Sequence, residues 1–222
     1  MSSIKYTVIF SGGVLDEETA LGVIDKREEV FIIGVDSGVE FLYDHQISPD
    51  YLVGDFDSLK GEVYDYYRNK TKVPIQQHDP VKDATDTEIA IRLAMEIGYR
   101  EIILLGATGG RIDHLWGNVQ SLLTAFRKGF HAVIIDEYNR IRIIGGDTVL
   151  CKSEAYGPYF SFFTLNGPVA HFNIEGAKYP LSDHTLESSG SLCVSNEFRA
   201  EQVRVTFPKG DVVLMETRDR RK

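Results

Sequence analysis

TDTEIAIRLAMEIGYREIILLGATGGRIDH, residues 85–114, decides the fold class, because it runs from helix to strand to glycine-rich turn to helix. Thr85 and Glu88 have the spacing of a capping box, Ile89, Leu93 and Ile97 share one helical face, and Gly98 supplies the stop. The apolar run 102–105 then has strand length, and GATGG exposes backbone before the next helical pattern. That pattern covers about 113–128, with Leu115, Val119, Leu122 and Phe126 at core spacing and Gly129 as its end. Trp116 is expected in the core as well.

Working outward, β-branched runs at 6–10, 30–35, 51–53, 73–76, 102–105 and 132–135 alternate with helical stretches. Such alternation builds a mainly parallel, Rossmann-like sheet covered by helices. Beyond Tyr138 the helical period disappears. Short strands with turn signals take over, among them IRIIGGDTVL with Gly145-Gly146 and VRVTFPKGDVVLMET with 208–211, so this half is expected to be an all-β sandwich or barrel. The change of period places an α/β domain at 1–137 and a β-domain at 138–222, with no Pro/Ser-rich linker between them.

The 222 residues carry a net charge of -9, and neither half has a basic stripe, which argues against a nucleic-acid partner. No apolar stretch approaches the roughly 20 residues of a membrane span. Cys151 and Cys193 are the only cysteines, too few for a dense disulfide framework, and a reducing cytoplasm is the simplest location.

Five aspartates stand where strands or loops meet helices: Asp36 in GVDSG, Asp55 and Asp57 in GDFDS, and Asp83 and Asp86 in KDATDTE. Open α/β sheets bind ligands at the carboxyl ends of their strands, which gathers these carboxylates on one rim. Gathered like charges repel unless a hard cation offsets them, and Mg²⁺ with oxygen ligands and substrate phosphates fits. If strand geometry persists past residue 54, Asp55 and Asp57 point the same way and Phe56 points back into the fold. Three-residue spacing brings Asp83 and Asp86 near one helical face.

GATGGRIDH adds the complementary parts. Its backbone amides, a helix start and the Arg111 guanidinium suit a phosphate. Alternatives stand beside each role. Arg111 pairs with an aspartate or reaches phosphate; His114 bonds the helix start or a phosphate; Lys82 reaches phosphate or lies in solvent; Ser11 to Gly13 approach a ligand or form a plain turn.

Taken in order, GVDSG, LVGDFDS, KDATDTEIA and GATGGRIDH resemble the thiamine pyrophosphokinase family. The resemblance implies an α/β domain binding ATP and Mg²⁺, then a β-sandwich that binds thiamine, in a homodimer with the thiamine pocket between subunits. It implies Mg²⁺ on Asp55, Asp57 and Asp86, with Asp36 and Asp83 nearby, and Arg111, Asp113 and His114 at the nucleotide phosphates. Ser37, Lys82, Thr87, Thr108, Gly109 and Gly110, in or beside these motifs, are candidate substrate contacts. SLCVSNEF is similar to the family's Ser-Asn segment and puts Ser195 and Asn196 near the aminopyrimidine. The sole tryptophan is Trp116, so the β-domain lacks the one some members set against thiamine. The implied reaction is attack of the thiamine hydroxyl on the β-phosphorus of ATP, with Asp83 or Asp113 as the candidate proton acceptor. Two other functions fit the same residues: another metal-dependent phosphotransferase or hydrolase, and a sensor without catalysis.

Overall fold

Phe10, Ile33, Val53 and Leu104 lose all but at most 2% of their exposure because the strands that carry them are covered on both faces. The computed structural model describes residues 5–27, 29–57, 59–77 and 83–220. The chain divides into two compact units, Met1–Glu137 and Tyr138–Lys222.

In the first unit, β1 (Lys5–Phe10), α1 (Glu17–Asp25), β2 (Glu29–Val35), α2 (Gly38–Asp44), β3 (Tyr51–Gly54) and α3 (Gly61–Lys70) are followed by β4 (Ile75–Gln77). Next come α4 (Asp86–Ile97), β5 (Glu101–Leu105), α5 (Ile112–Arg127) and β6 (His131–Ile135). The strand order is β6-β5-β1-β2-β3-β4, and the pairings are parallel. The chain therefore reverses direction across the sheet between β1 and β5, the place where such sheets open a crevice. β4 starts at Ile75 rather than Val73. Pro74 has no N–H to donate, and its carbonyl accepts from Leu52 at 3.0 Å just before regular pairing begins.

Local chemistry sets the helix ends. Thr85 Oγ1 accepts from the Glu88 amide at 3.2 Å, while the Glu88 carboxylate pairs with Arg92 one turn on. Gly98 closes α4 at φ 88, a left-handed position that glycine occupies without strain. On α5 the expectation for Trp116 is corrected: it is 53% exposed, beside Ile112 at 81%. Trp116 lies about a quarter turn off the stripe made by Leu115, Val119, Leu122 and Phe126.

The second unit holds β7 (Asn139–Ile144), β8 (Asp147–Cys151), β9 (Tyr159–Thr164), β10 (Val169–Glu175), β11 (Leu181–Leu186), β12 (Asn196–Glu197), β13 (Gln202–Thr206) and β14 (Val212–Thr217). Within this unit β12-β9-β14-β7 form one antiparallel layer and β11-β10-β13-β8 the other. Phe160, Phe162 and Leu214 from the first layer pack with Phe172, Val203 and Val205 from the second, which makes a sandwich. Both Gly145-Gly146 and the 208–211 turn are crossovers between layers. Gly146 must be glycine there, since a Cβ would lie 2.0 Å from the Phe207 carbonyl oxygen. At one end of the core the buried Glu216 is held by Arg140 through Nε to Oε2 at 2.8 Å and Nη2 to Oε1 at 2.5 Å. Cys151 and Cys193 are both free thiols. No helix among the described residues is long and apolar enough to cross a membrane.

Candidate active site

The turn after β1 and the turn after β5 lean on each other across the reversal of strand order. Gly13 N donates to Gly106 O at 2.7 Å and Val14 N to Thr108 O at 3.0 Å. The approach leaves no room for side chains, because a Cβ on Gly13 would stand 2.4 Å from both acceptor oxygens. Further support comes from below: buried Asn118 on α5 donates from Nδ2 to Ala107 O at 2.9 Å, and Thr108 Oγ1 donates to Asp136 Oδ2 at 2.6 Å.

Above these turns opens a cavity of about 590 Å³, wholly within the first unit. Asp36, Ser37, Asp55, Asp57, Asp86, Thr87, Thr108, Gly110, Arg111 and His114 line it together with 11–13, Gly106, Ala107 and Asn118. It sits at the carboxyl ends of β1, β2, β3 and β5 and at the starts of α4 and α5. Helix starts favour anions, while the aspartate carboxylates in the same lining favour a cation.

Asp36 follows β2 at φ 46, a left-handed conformation that a short polar side chain tolerates. Its carboxylate lies over Gly54, where a Cβ would come within 2.4 Å of Oδ1. Ser37 Oγ donates to Gly12 O at 3.0 Å, and Gly38 lets α2 start against the Phe10 carbonyl, 2.2 Å from where a Cβ would be.

Asp55 and Asp57 reach the same cavity by a route other than the one the strand spacing suggests. β3 ends at Gly54, Phe56 takes φ 60, and Asp57 N donates to Asp55 Oδ1 at 3.2 Å, so the pair occupies a tight turn. The turn is anchored by Phe56, 7% exposed among Val39, Leu52, Val63 and Tyr67. Asp83 precedes α4, whose first residue is Asp86, so helical spacing does not relate them. Asp83 instead shares an adjoining depression with Asp36, Asp55, Asp86 and His114. Thr87 Oγ1 donates to Ser11 Oγ at 3.2 Å, which ties α4 to the β1 turn.

Arg111 and Asp113 pair through Nε to Oδ1 at 3.1 Å and Nη2 to Oδ2 at 2.5 Å, and Asp113 Oδ1 also accepts from His114 N. The Arg111 hydrogen bond holds the Asp113 carboxyl below its ordinary 3.8, and the Asp113 carboxylate raises Arg111 in return. Asp113 does not line the cavity. Nor does Gly109, which at φ 80 packs under Val14. Lys82 lies outside the described residues.

In the second unit Asn196 is 3% exposed and clasps backbone. Its Oδ1 accepts from Tyr179 N at 3.0 Å and Glu197 N at 2.9 Å, and its Nδ2 donates to Tyr179 O at 2.8 Å. Ser195 is exposed beside it at φ 57, its amide bonded to Ser161 Oγ at 3.0 Å.

Asn118 and Asp136 are the residues that sequence reasoning missed. The available signal for Asn118 was an amide in the middle of an apolar helix, while Asp136 follows β6 at the same rim as the other acids.

Residues 26–134 match the model of the thiamin pyrophosphokinase catalytic domain and residues 147–212 that of the thiamin pyrophosphokinase vitamin B1 binding domain. The thiamine pyrophosphokinase of Bacillus subtilis is 30% identical over 192 residues, 86% of this chain and 89% of that one. This chain belongs to the thiamine pyrophosphokinase family. Its fold superposes on the crystal structure of the Bacillus subtilis thiamine pyrophosphokinase with a TM-score of 0.87, at 28% identity, covering 97% of this chain and 100% of that one. Against the Geobacillus thermodenitrificans thiamin pyrophosphokinase the TM-score is 0.83 at 32% identity, with 96% and 98% covered.

The donor chemistry of the cavity fits the hard cation expected of a thiamine pyrophosphokinase. Its acidic wall presents carboxylate oxygens and no thiol. Among the described residues no three His, Cys, Asp or Glu side chains stand close enough to hold an ion alone. Mg²⁺ is commonly bound by one or two carboxylates plus substrate phosphates and water, and such a shared shell suits an open wall of this kind.

Proposed function

We propose that this chain transfers a pyrophosphoryl group from ATP to the hydroxyethyl oxygen of thiamine, releasing AMP and thiamine diphosphate. The observation that carries the reading is a single cavity whose lining brings Asp36, Asp55, Asp57 and Asp86 together with Gly110, Arg111 and the start of α5. Family membership supports the acceptor and the reaction class.

Asp55, Asp57 and Asp86 would hold Mg²⁺ together with phosphate oxygens. The bound ion supplies charge neutralisation and polarisation of the phosphoryl oxygens. The chain's own residues orient and stabilise. Arg111 exchanges Asp113 for phosphate, the amides around Gly110 donate to charge developing on the transferred group, and Ser37, Thr87, Thr108 and His114 fix the nucleotide. Asp83, in the adjoining depression with Asp36 and Asp55, is better placed than Asp113 to take the hydroxyl proton, since Asp113 lies outside the lining of both spaces. Lys82 is assigned to the nucleotide by resemblance alone.

ATP and Mg²⁺ are assigned to 1–137 and thiamine to 138–222. Ser195 is the thiamine contact, and Asn196 shapes its loop from within. A homodimer and a reducing cytoplasm complete the proposal; the two free thiols are consistent with the latter.

Incubation with ATP, Mg²⁺ and thiamine tests the reading. Equal amounts of AMP and thiamine diphosphate, dependent on thiamine, are expected. Nucleotide hydrolysis without thiamine would assign a hydrolase instead, and binding without turnover a sensor.

A further inference from the structure

A second cavity, of about 570 Å³, opens at the other ends of the strands. Residues 47–49 lead into the start of β3 and 71–73 into the start of β4, whereas the acidic cavity lies past the end of β3. Among the described residues the two cavities share no lining residue.

Tyr43 from α2 and Tyr66 and Tyr67 from α3 line this second cavity. Their rings are nearly perpendicular to one another: 71° for Tyr43 and Tyr66, 81° for Tyr66 and Tyr67, and 69° for Tyr43 and Tyr67. The centroids are 5.1, 5.2 and 6.4 Å apart. Mutually perpendicular rings form a corner rather than a stack; Tyr67, 4% exposed, backs it, while the exposed Tyr66 and half-buried Tyr43 border the open space. Burial, with the neighbouring Tyr66 and Tyr43 phenols second, pushes the Tyr67 hydroxyl up to about 12, which keeps that phenol neutral at physiological pH. Among the described residues of the lining Asp44, which is exposed, is the charged one, and Gln46, Ser48 and Thr71 add neutral polar groups. Neutral aromatic rings with a single carboxylate favour a cation over an anion.

We propose that this cavity binds a small organic cation of the quaternary-ammonium class, with the tyrosine corner contacting the cationic head and Asp44 balancing its charge. Such a head is weakly hydrated and sheds water more readily than a primary ammonium, which suits a wall built largely of aromatic rings. The volume falls in the ordinary range for small-molecule sites, roughly 300–1,000 Å³, and leaves room for a substituent beyond the head.

Calorimetric titration of the full chain with choline, and with 3,3-dimethylbutan-1-ol as its uncharged carbon isostere, tests the proposal. Saturable choline binding is expected at about 1 mM or tighter. Tyr66→Ala, at a 42% exposed wall, is expected to weaken it by about tenfold, and Asp44→Asn by several-fold. The neutral isostere is expected to bind at least about tenfold more weakly than choline. Thiamine turnover should stay unchanged in both variants, which separates this site from the acidic one. The proposal is overturned by no saturable choline binding, by binding that persists unchanged in both variants, or by an isostere that binds as well as choline. Thermal unfolding of each variant confirms that a loss of binding is not a loss of fold.

Discussion

Arg111 and Asp113, two residues apart at the start of α5, grip each other through a two-pronged ion pair at the mouth of the acidic cavity. Arg111 lines that cavity and Asp113 does not. The pair therefore parks a guanidinium at the cavity lining, with side chains 73% and 62% exposed and free to exchange partners. An exposed pair of this kind contributes little to stability. Its consequence is electrostatic.

The pair predicts an acid shift. Asp113 has a folded pKa below its ordinary 3.8, chiefly through the Arg111 hydrogen bond. A depressed carboxyl favours folding above the unfolded value, and that contribution is lost as pH falls through the lower folded one. Carboxyl-detected NMR titration should find Asp113 below 3.8 and return it toward the ordinary range in Arg111→Gln. An unchanged Asp113 titration in that variant would remove the pair from solution.

Asp57→Asn is expected to leave the fold intact, since Asp57 sits in an exposed turn anchored by Phe56 rather than by its own side chain. Turnover should fall by about a hundredfold or more, because a metal ligand supports several kcal/mol of charge stabilisation and each 1.36 kcal/mol is tenfold. Product assay and thermal unfolding are read side by side. A near-normal rate would end the metal assignment to Asp57.

Asn118→Ala removes the donor beneath Ala107 and leaves a carbonyl oxygen unsatisfied under the glycine turn. A loss of about 1–3 kcal/mol in urea unfolding is expected. A rise in KM for ATP should accompany it, because the turn whose amides face the cavity loses its support. Unchanged KM with reduced stability would confine Asn118 to packing.

Arg140→Met strands Glu216, which is 2% exposed and whose other cationic neighbour, Arg142, stands 3.8 Å away. Breaking a buried pair from one side costs about 3–5 kcal/mol. The double variant Arg140→Met with Glu216→Leu should recover only part of that, since Arg142, whose guanidinium is pushed down by burial and supported by Glu216, then loses its counterion. Denaturant midpoints of the wild type, each single variant and the double variant close the cycle.

The α/β class and the change to β-structure at Tyr138 are legible in the sequence because hydrophobic period is a local property. The acidic and glycine-rich motifs are legible for a related reason: each stands at a strand-to-helix junction, and parallel strands put all such junctions on one rim. By itself, then, the sequence determined the fold class, the order of motifs and the family resemblance. Tertiary structure alone decided what neighbours in space do. It bent Asp55 and Asp57 into a turn where strand alternation failed, and it turned Trp116 out to solvent. It engaged Asp113 with Arg111 and Asn196 with backbone, routed Gly145-Gly146 between two layers, and brought Asn118 and Asp136 under the glycine turn. These outcomes depend on contacts between residues far apart in the chain, whose energies are set by burial and by hydrogen-bond geometry rather than by periodicity.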